Sequence, residues 1–295
     1  MIIITANAQR HKIGVALVLL SMSCLVAASS LQRYFISPMG EANWRASGNP
    51  LRCGLSLEVP NFGRAYFEQY ATKDPHFILH KYQQSPGYEP AKVSAVPPIW
   101  KPHGRSFFIS QTRVKPGKYG FYLPRNPTLK MLNYLAEGYK TIFQYRSHEG
   151  FIVTVALSPI NFQTQYKEYI KCVGFLLPFN YEEIRHLNFT FPTGGWELTD
   201  ADKSLLDKVV KYTFVDRRVK TVRIAGYTDD SGRQSVNNAV SEQRARAVEK
   251  YLLAQRINPK LISVTWFGEA KPVADNNDLE GQKENRRVTI DVIIK

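Results

Sequence analysis

Two charged residues in the C-terminal half, Asp229 and Arg244, have the chemistry to hold a zwitterion. Asp229 lies in the segment Gly226-Tyr227-Thr228-Asp229-Asp230-Ser231-Gly232, between a predicted strand and a predicted helix. A carboxylate binds an ammonium group, and the guanidinium fork of an arginine binds a carboxylate through two parallel hydrogen bonds. The start of the helix adds free backbone N–H groups and a dipole that favour an anion. The pattern therefore predicts a site for an amino-acid head group.

The helix that follows, residues 235–255, has polar side chains on the side that should face a core. Its apolar side is defined by Val236, Val240, Ala247, Val248, Tyr251 and Leu252. At about 100° per residue, Asn237, Ser241 and Arg244 lie within the same arc. Buried polar groups must be hydrogen-bonded or must face a ligand. Two structural explanations stay open, with Asp229 as a turn or capping residue and Arg244 as its ion-pair partner.

These residues belong to a C-terminal region, residues 181–295, in which strands and helices alternate. Thr199 is a predicted N-cap, and the apolar spacing after it predicts a helix over residues 200–214. Predicted strands cover residues 188–191, 219–225, 261–267 and 288–294. The order β-α-β-α-β-β predicts an α/β sandwich with a mixed sheet.

The sequence pattern of residues 29–180 predicts a different architecture. Short segments rich in β-branched and aromatic residues are separated by turns such as Ser85-Pro86-Gly87 and Lys115-Pro116-Gly117. Predicted strands cover residues 51–59, 76–82, 105–114, 140–145 and 151–157, and one helix is predicted at residues 128–137. This pattern predicts an antiparallel β domain, so we expect the whole chain to be of the α+β class.

The N-terminus predicts export. Arg10 and Lys12 precede 16 uncharged residues, 13–28, which are too few for a comfortable membrane span. Val26-Ala27-Ala28 supplies small residues for cleavage, so we expect a signal peptide over residues 1–28. An uncleaved anchor and a lipoprotein attached at Cys24 are the alternatives. Cleavage removes two cations from a chain of formal net charge +14, and so leaves +12.

Cleavage would also leave two cysteines, Cys53 and Cys172, near the two ends of the N-terminal domain. A pair of cysteines in an oxidising compartment predicts one disulfide. The residues are 119 positions apart, and closing so long a loop stabilises a fold by about 4–5 kcal/mol on the chain-entropy model. Two buried free thiols are the alternative.

Four short motifs of the C-terminal region follow one another in the order of a known family. Gly226-Tyr227-Thr228-Asp229 and Gly232 precede Asn237-x-x-Val240-Ser241-x-x-Arg244-Ala245, and then come Gly268-Glu269-x-x-Pro272 and Asn285-Arg286-Arg287-Val288. Together they resemble the OmpA/MotB-type peptidoglycan-binding domain. Tyr227 and Val240 stand where that family usually has His and Leu.

This resemblance implies that the domain binds the meso-diaminopimelate of a peptidoglycan stem peptide. It implies that Asp229 takes the amino group and Arg244 the carboxylate. The supporting residues that it implies are Thr228, Asn237 and, more weakly, Arg287. The two residues before Arg287 are expected only to brace their loop.

The order of the domains carries a second resemblance. A signal peptide and a cysteine-containing β domain precede the wall-binding domain, and residues 39–57 include Gly40-Glu41-Ala42-Asn43-Trp44 and Cys53-Gly54-Leu55. This arrangement resembles the MotY family of accessory proteins of sodium-driven flagellar motors. It implies a periplasmic ring component that docks on the flagellar basal body and on a MotX-like ring protein. Such a component grips peptidoglycan, supports the stator complex indirectly and needs no cofactor or metal.

Three other functions are weighed against this one. A generic envelope-to-wall anchor without a motor role fits the C-terminal motifs equally well. An enzyme would need its site in the N-terminal half, where His76 and His80 share a strand face without a third zinc ligand at a recognisable spacing. The positive charge permits nucleic-acid binding, but export would take the protein away from nucleic acid. We therefore expect an anchor that is not an enzyme and binds no nucleic acid.

Overall fold

The computed structural model describes residues 31–38, 40–98 and 104–295. The predicted signal peptide and its cleavage position lie outside these residues. Within the described ranges, no helix is both long enough and apolar enough to cross a membrane. The described residues form two hydrophobic cores, one in each half of the chain.

The described part of the N-terminal domain contains ten strands and two helices. The strands are β1 (Gln32–Ile36), β2 (Arg45–Asn49), β3 (Arg52–Val59), β4 (Gly63–Tyr70), β5 (His76–Ser85), β6 (Pro90–Val96), β7 (Phe107–Arg113), β8 (Gly117–Leu123), β9 (Lys140–Arg146) and β10 (Ile152–Leu157). The helices are α1 (Arg125–Ala136) and α2 (Phe162–Gly174).

These strands form two five-stranded sheets, in the orders β1-β10-β9-β6-β7 and β2-β3-β4-β5-β8. Phenylalanine rings from both sheets meet in the core, where Phe143 of the first sheet stacks on Phe77 of the second with 5.3 Å between ring centroids. The predicted antiparallel β domain is confirmed. One pair departs from it, because β1 runs parallel to β10 at an edge.

Helix α2 was not predicted from the sequence. Its apolar residues do recur at helical spacing, with Phe162 and Tyr169 buried and Tyr166 and Val173 packed against the core. The segment is rich in aromatic residues, which have weaker helix propensity than Leu or Ala, so the local composition favours a strand as much as a helix. Packing against β2 and β3 decides the outcome.

A disulfide joins Cys53 on β3 to Cys172 on α2, with 5.9 Å between the two Cα atoms. It fastens the last helix of the domain to the second sheet. Gly48 on the neighbouring strand leaves room for the bridge, because a Cβ at that position would clash with the sulfur of Cys172. The bond therefore closes the N-terminal domain from its start to its end.

The C-terminal domain contains four helices and four strands. The helices are α3 (Tyr181–Ile184), α4 (Asp200–Val215), α5 (Gln234–Ala254) and α6 (Leu279–Asn285). The strands are β11 (His186–Thr190), β12 (Val219–Gly226), β13 (Ile262–Trp266) and β14 (Arg287–Ile294), in the sheet order β11-β14-β12-β13.

The predicted α/β sandwich with a mixed sheet is confirmed, since β12 pairs parallel with β13 and antiparallel with β14. Thr199 caps α4 through a capping box with Asp202. The predicted order had two consecutive strands at the C-terminus, but helix α6 lies between them, after β13 and before β14. Val236 was assigned to the apolar side of α5 and is 51% exposed instead. The buried arc of the helix is centred on Ser241 and Val248, and Val236 lies about 120° from Val248 on the helical wheel.

The segment that leads into α3 is held against the N-terminal domain, and two leucines of that domain reach the C-terminal core. The amide of Leu177 donates to the carbonyl oxygen of Pro50 at 2.8 Å, and the side chain of Asn180 donates to the hydroxyl of Thr72 at 2.7 Å. Leu51 and Leu177 pack against the C-terminal core. The turn between β2 and β3 therefore contacts the start of the second domain.

Candidate functional site

The loop that contains Asp229 lies at one edge of the C-terminal sheet. Strands β12 and β13 are parallel, so their carboxyl ends meet at this edge, where β11 ends and β14 begins. Gly226 packs so closely on α5 that a Cβ there would clash with the carbonyl oxygen of Ser241. The edge brings together α5 and four loop segments, residues 191–195, 227–233, 268–275 and 285–287.

Asp229 is the buried carboxylate of this edge, with 4% of its surface exposed. Its Oδ2 accepts a hydrogen bond from Arg286 Nη1 at 2.6 Å, and its Oδ1 accepts one from Ser231 Oγ at 2.7 Å. Burial opposes ionisation, but the hydrogen bonds from Arg286 and Ser231 outweigh it and hold the pKa of Asp229 below its usual value. Asp229 is therefore an anion at neutral pH, and with Arg286 and the hydroxyl and amide of Ser231 as donors its carboxylate still has a lone pair for a further donor.

Arg244 is buried on α5, with 1% of its surface exposed. Its guanidinium donates to three backbone carbonyl oxygens, those of Gly195 at 2.7 Å, Tyr227 at 3.0 Å and Pro192 at 3.0 Å. These bonds use three of its five N–H groups. Burial lowers the pKa of Arg244 to about 10, and the charge of Asp229 acts in the opposite direction. The side chain therefore stays charged at neutral pH.

The ion pair considered between Asp229 and Arg244 does not form. Asp229 pairs with Arg286 instead, and Arg286 also donates its Nε to the carbonyl oxygen of Phe191 at 3.1 Å. The expectation that Arg286 only braces its loop is therefore wrong, because it is the direct partner of the carboxylate. Arg244 reaches the same loop through the carbonyl group of Tyr227.

Two of the predicted supporting residues contain buried polar atoms without a hydrogen-bond partner, the hydroxyl of Thr228 and Nη1 of Arg287. The guanidinium of Arg287 lies 3.8 Å from the ring centroid of Tyr227, and its Nη2 donates to the carbonyl oxygen of Lys271 at 3.1 Å. Burial lowers the pKa of Arg287. A buried polar atom left unpaired costs about 1–3 kcal/mol. These two atoms therefore indicate that a ligand or water completes the site.

The other polar residues on the core-facing arc of α5 tie loops to the helix. Asn237 donates to the carbonyl oxygen of Gly232 at 3.1 Å and to the carboxylate of Glu269. Ser241 accepts a hydrogen bond from the amide of Gly268 at 3.0 Å. Their hydrogen bonds satisfy the polar groups that the helical wheel placed in the core, and they fix the loops that surround Asp229.

Sequence reasoning assigned no role to Ser231 or Glu269 and only a bracing role to Arg286, although the motifs quoted above contain all three. Each acts on a predicted site residue through one side-chain contact, Ser231 and Arg286 on Asp229 and Glu269 on Asn237. Asn285 does brace its loop, as expected, because its Oδ1 accepts from the amide of Val273 at 2.7 Å. The order of motifs along the chain contains no information on which side chains pair.

The histidines considered as zinc ligands occupy another environment. His76 and His80 lie on β5, and each ring packs against two tyrosines, Tyr70 and Tyr122 for His76 and Tyr66 and Tyr119 for His80. Nε2 of His76 is 3.7 Å from a carboxylate oxygen of Glu68. Across the described ranges, no group of three or more His, Cys, Asp or Glu side chains is arranged to hold a metal ion.

Comparison with protein families matches both halves of the chain. Residues 35–178 match the MotY N-terminal domain, and residues 190–286 match the OmpA family. The second match contains the loop and the helix of the site just described. The C-terminal half is therefore an OmpA-family domain.

Two curated relatives match the whole chain or its C-terminal part, and one solved structure resembles part of the chain. The chain is 28% identical over 282 residues to the sodium-type flagellar protein MotY of Vibrio parahaemolyticus, which covers 94% of this chain and 95% of that protein. Outer membrane protein A of Bordetella avium is 35% identical over 92 residues, 31% of this chain and 46% of that protein. The peptidoglycan-associated lipoprotein structure from Burkholderia pseudomallei is 26% identical and covers 38% of this chain and 90% of that chain, with a TM-score of 0.33.

The two matches together define the kind of protein. The chain joins a domain that matches the MotY N-terminal domain to an OmpA-family domain. It is a homologue of the sodium-type flagellar protein MotY of Vibrio parahaemolyticus over nearly its whole length.

Proposed function

We propose that this protein is a periplasmic ring component of a flagellar motor that anchors to peptidoglycan through its C-terminal domain. The observation that carries the wall-binding part is the buried edge around Asp229, with one paired carboxylate, the charged Arg244 and two polar atoms that lack partners. A structural relative is named a peptidoglycan-associated lipoprotein, and several curated relatives share that name or the name of a peptidoglycan-binding protein. These names support the same ligand.

The ligand class follows from the charges that the site offers. A zwitterionic head group presents its ammonium to Asp229, whose carboxylate still has a lone pair for a further donor. It presents its carboxylate to the two N–H groups of Arg244 that have no carbonyl partner. The hydroxyl of Thr228 and Nη1 of Arg287 are the additional donors. The free amino-acid end of meso-diaminopimelate in a stem peptide has this chemistry.

The affinity of one site is expected to be low, because a small head group buries little area. Repeated stem peptides of the wall would raise the overall affinity when several copies sit in one ring. A torque-generating unit needs a fixed frame to push against, and a wall anchor supplies it. This is the physical reason to combine a wall domain with a domain that docks on the basal body.

Sedimentation with purified sacculi tests the site. In the full-length protein, Asp229→Asn keeps the size of the side chain and removes its charge, so we expect at least a tenfold loss of sedimented protein. Asp230→Asn is the matched control, because Asp230 is the exposed neighbour in the same loop. Equal sedimentation of the two variants would exclude Asp229 from the site.

The motor role rests on the MotY-type N-terminal domain and on the full-length relative. We propose that this domain docks on the basal body and on a MotX-like ring protein, and so supports stator assembly. Motility and stator placement in a deletion strain test this role. Normal swimming of the deletion strain would reduce the protein to a generic envelope anchor.

A further inference from the structure

The outer face of the sheet β1-β10-β9-β6-β7 has a row of polar side chains across all five strands. The register places in this row Tyr34, Thr154, Gln144, Lys92 and Gln111. In the next row, Arg146 on β9 lies opposite Ile152 and Arg113 on β7 lies opposite Pro90. A groove of about 620 Å³ follows these two rows, and its lining contains three cations and no carboxylate.

The cations of this groove have almost no internal partners. The side chains of Lys92 and Arg113 make no ion pair or hydrogen bond with any described residue, and the side chain of Arg146 donates only to the carbonyl oxygen of Gly150 at 3.1 Å. Neighbouring strands are about 4.8 Å apart, so the three positive side chains lie close together. Like charges at neighbouring positions repel one another, so this cluster adds nothing favourable to the stability of the domain. Their arrangement is therefore better explained by a negatively charged partner than by the stability of the domain.

The distribution of charge along the chain supports the same conclusion. Residues 29–180 contain 18 Lys and Arg against 8 Asp and Glu, a net charge of +10. Residues 181–295 contain 19 against 17, a net charge of +2. Nearly all the excess positive charge therefore belongs to the N-terminal domain. It cannot serve chiefly to attract an anionic polymer to the site around Asp229.

The same face has exposed aromatic rings beside the cations. Tyr34 is 53% exposed, and Phe108 is 57% exposed and lies opposite Ser94, two residues along β6 from Lys92. Protein–protein interfaces are enriched in aromatic residues and arginine, which form most of their energetic hot spots. The combination favours a protein partner over a simple polyanion.

We propose that this face docks an extended acidic segment of a partner protein, whose Asp and Glu side chains pair with Lys92, Arg113 and Arg146. Gln144 and Gln111 flank Lys92 on the neighbouring strands, and their side-chain amides can hydrogen-bond the backbone of that segment. The proposal rests on the proposed function, in which the N-terminal domain docks on the basal body. It adds the face that docks and the charge of what it binds.

The test compares two triple charge reversals in the full-length protein. Lys92→Glu/Arg113→Glu/Arg146→Glu changes the face. Lys130→Glu/Lys167→Glu/Lys171→Glu makes the same change in net charge at exposed positions of α1 and α2. The probes are a labelled ten-residue glutamate peptide and isolated flagellar basal bodies. We expect the face variant to bind the peptide at least tenfold more weakly than wild type and to be absent from the isolated basal bodies. The peptide affinity of the control variant should stay within about twofold of that of wild type.

Salt gives an independent measure, because exposed charge pairs are screened over about 8 Å at physiological ionic strength. Peptide binding by wild type and control should weaken steeply as the salt concentration is raised, whereas the weak binding of the face variant should change little with salt. Equal peptide binding by the face variant and the control would overturn the proposal. The proposal would also be overturned if the face variant lost binding to anionic lipid vesicles but still bound the peptide as tightly as wild type does. If even the wild type fails to bind basal bodies, the proposed docking function fails, and the peptide measurement still decides the nature of the face.

Discussion

Two groups of charged residues, one in each domain, lie in opposite kinds of environment. In the C-terminal domain, Asp229, Arg244 and Arg287 are buried, and backbone carbonyls, side chains and an aromatic ring surround them. In the N-terminal domain, Lys92 and Arg113 lie on a sheet face without partners. A buried charge fixed by hydrogen bonds suits the recognition of a small ligand with a set geometry. Exposed charges on a flat face suit a large partner and rapid association.

The difference also separates what stabilises each domain. The N-terminal domain has a disulfide between its second sheet and its last helix. The C-terminal domain has no cysteine in residues 181–295, and it relies on its core and on the buried polar network at the edge of the sheet. Changes in one domain should therefore leave the binding function of the other intact, and the following variants test that independence.

Loss of the disulfide should give the largest effect. Cys53→Ser/Cys172→Ser removes a bridge between residues 119 apart, which corresponds to about 4–5 kcal/mol on the chain-entropy model. We expect the N-terminal domain to unfold first on heating, in a separate calorimetric transition, while binding to sacculi at low temperature is unchanged. A reducing agent should lower the temperature of the first transition in the wild type and leave the temperature of that transition unchanged in the double variant. A single unshifted transition would show that the bridge contributes little.

A glycine at the site edge should give the next effect. Gly226→Ala places a Cβ against the carbonyl oxygen of Ser241, so β12 and α5 must move apart. Overpacking of this kind costs about 1–3 kcal/mol. We expect a lower free energy of unfolding for the C-terminal domain and weaker sedimentation with sacculi. Gly174→Ala is the control, since its Cβ would meet no atom within 4 Å, and an unchanged Gly226→Ala variant would argue against the close contact.

Acid should remove one contribution from the C-terminal domain in a defined range. Hydrogen bonds from Arg218 lower the pKa of Asp216 to about 2, against the opposing effect of burial. Because the folded pKa lies below the unfolded value of about 3.9, the contribution is complete above pH 4 and is lost as the pH falls towards 2. After allowance for the exposed Arg218, we expect about 1–2 kcal/mol. Chemical denaturation of Asp216→Asn should show this loss at pH 7 and little difference from wild type at pH 2. A pH-independent difference would assign the effect to packing.

The smallest effect is expected at the position where this chain departs from the family motif. Tyr227 stacks on Phe267 with 5.3 Å between ring centroids. The guanidinium of Arg287 lies over the Tyr227 ring, 3.8 Å from its centroid. Tyr227→His keeps an aromatic ring, so we expect less than a threefold change in sedimentation at pH 8. Tyr227→Ala removes the platform of Arg287 and should weaken binding more. Equal losses in both variants would show that the phenol itself matters.

The sequence predicted most of the C-terminal fold because its signals are local. The capping residue Thr199, the apolar spacing of α4 and α5 and the β-branched run of β12 each specify their element. The N-terminal domain was predicted less completely, because strands such as β4 and β6 depend on partners far along the chain. Helix α2 has a mixed local preference that only tertiary packing resolves.

The candidate site was predicted in part for the same reason. The motif order identified Asp229 and Arg244, and the helical wheel placed Arg244 on a buried arc. Which arginine pairs with Asp229 depends on how β14 enters the sheet beside β12, and that is a matter of tertiary register. The face on β6, β7 and β9 had no signal at all in the sequence, since its cations become neighbours only when the strands pair.

The proposed zwitterion site is tested most directly by two stem tripeptides that differ in one carboxylate. L-Ala-γ-D-Glu-meso-diaminopimelate presents both an ammonium and a carboxylate at its free end, and the analogue with L-Lys in the third position presents only the ammonium. Calorimetric titration of the full-length protein should give at least tenfold tighter binding of the first peptide. Asp229→Asn should weaken the binding of both peptides, because both present the ammonium, whereas Asp230→Asn should leave both affinities unchanged. Equal affinity of the wild type for the two peptides would contradict the pairing of a ligand carboxylate with Arg244.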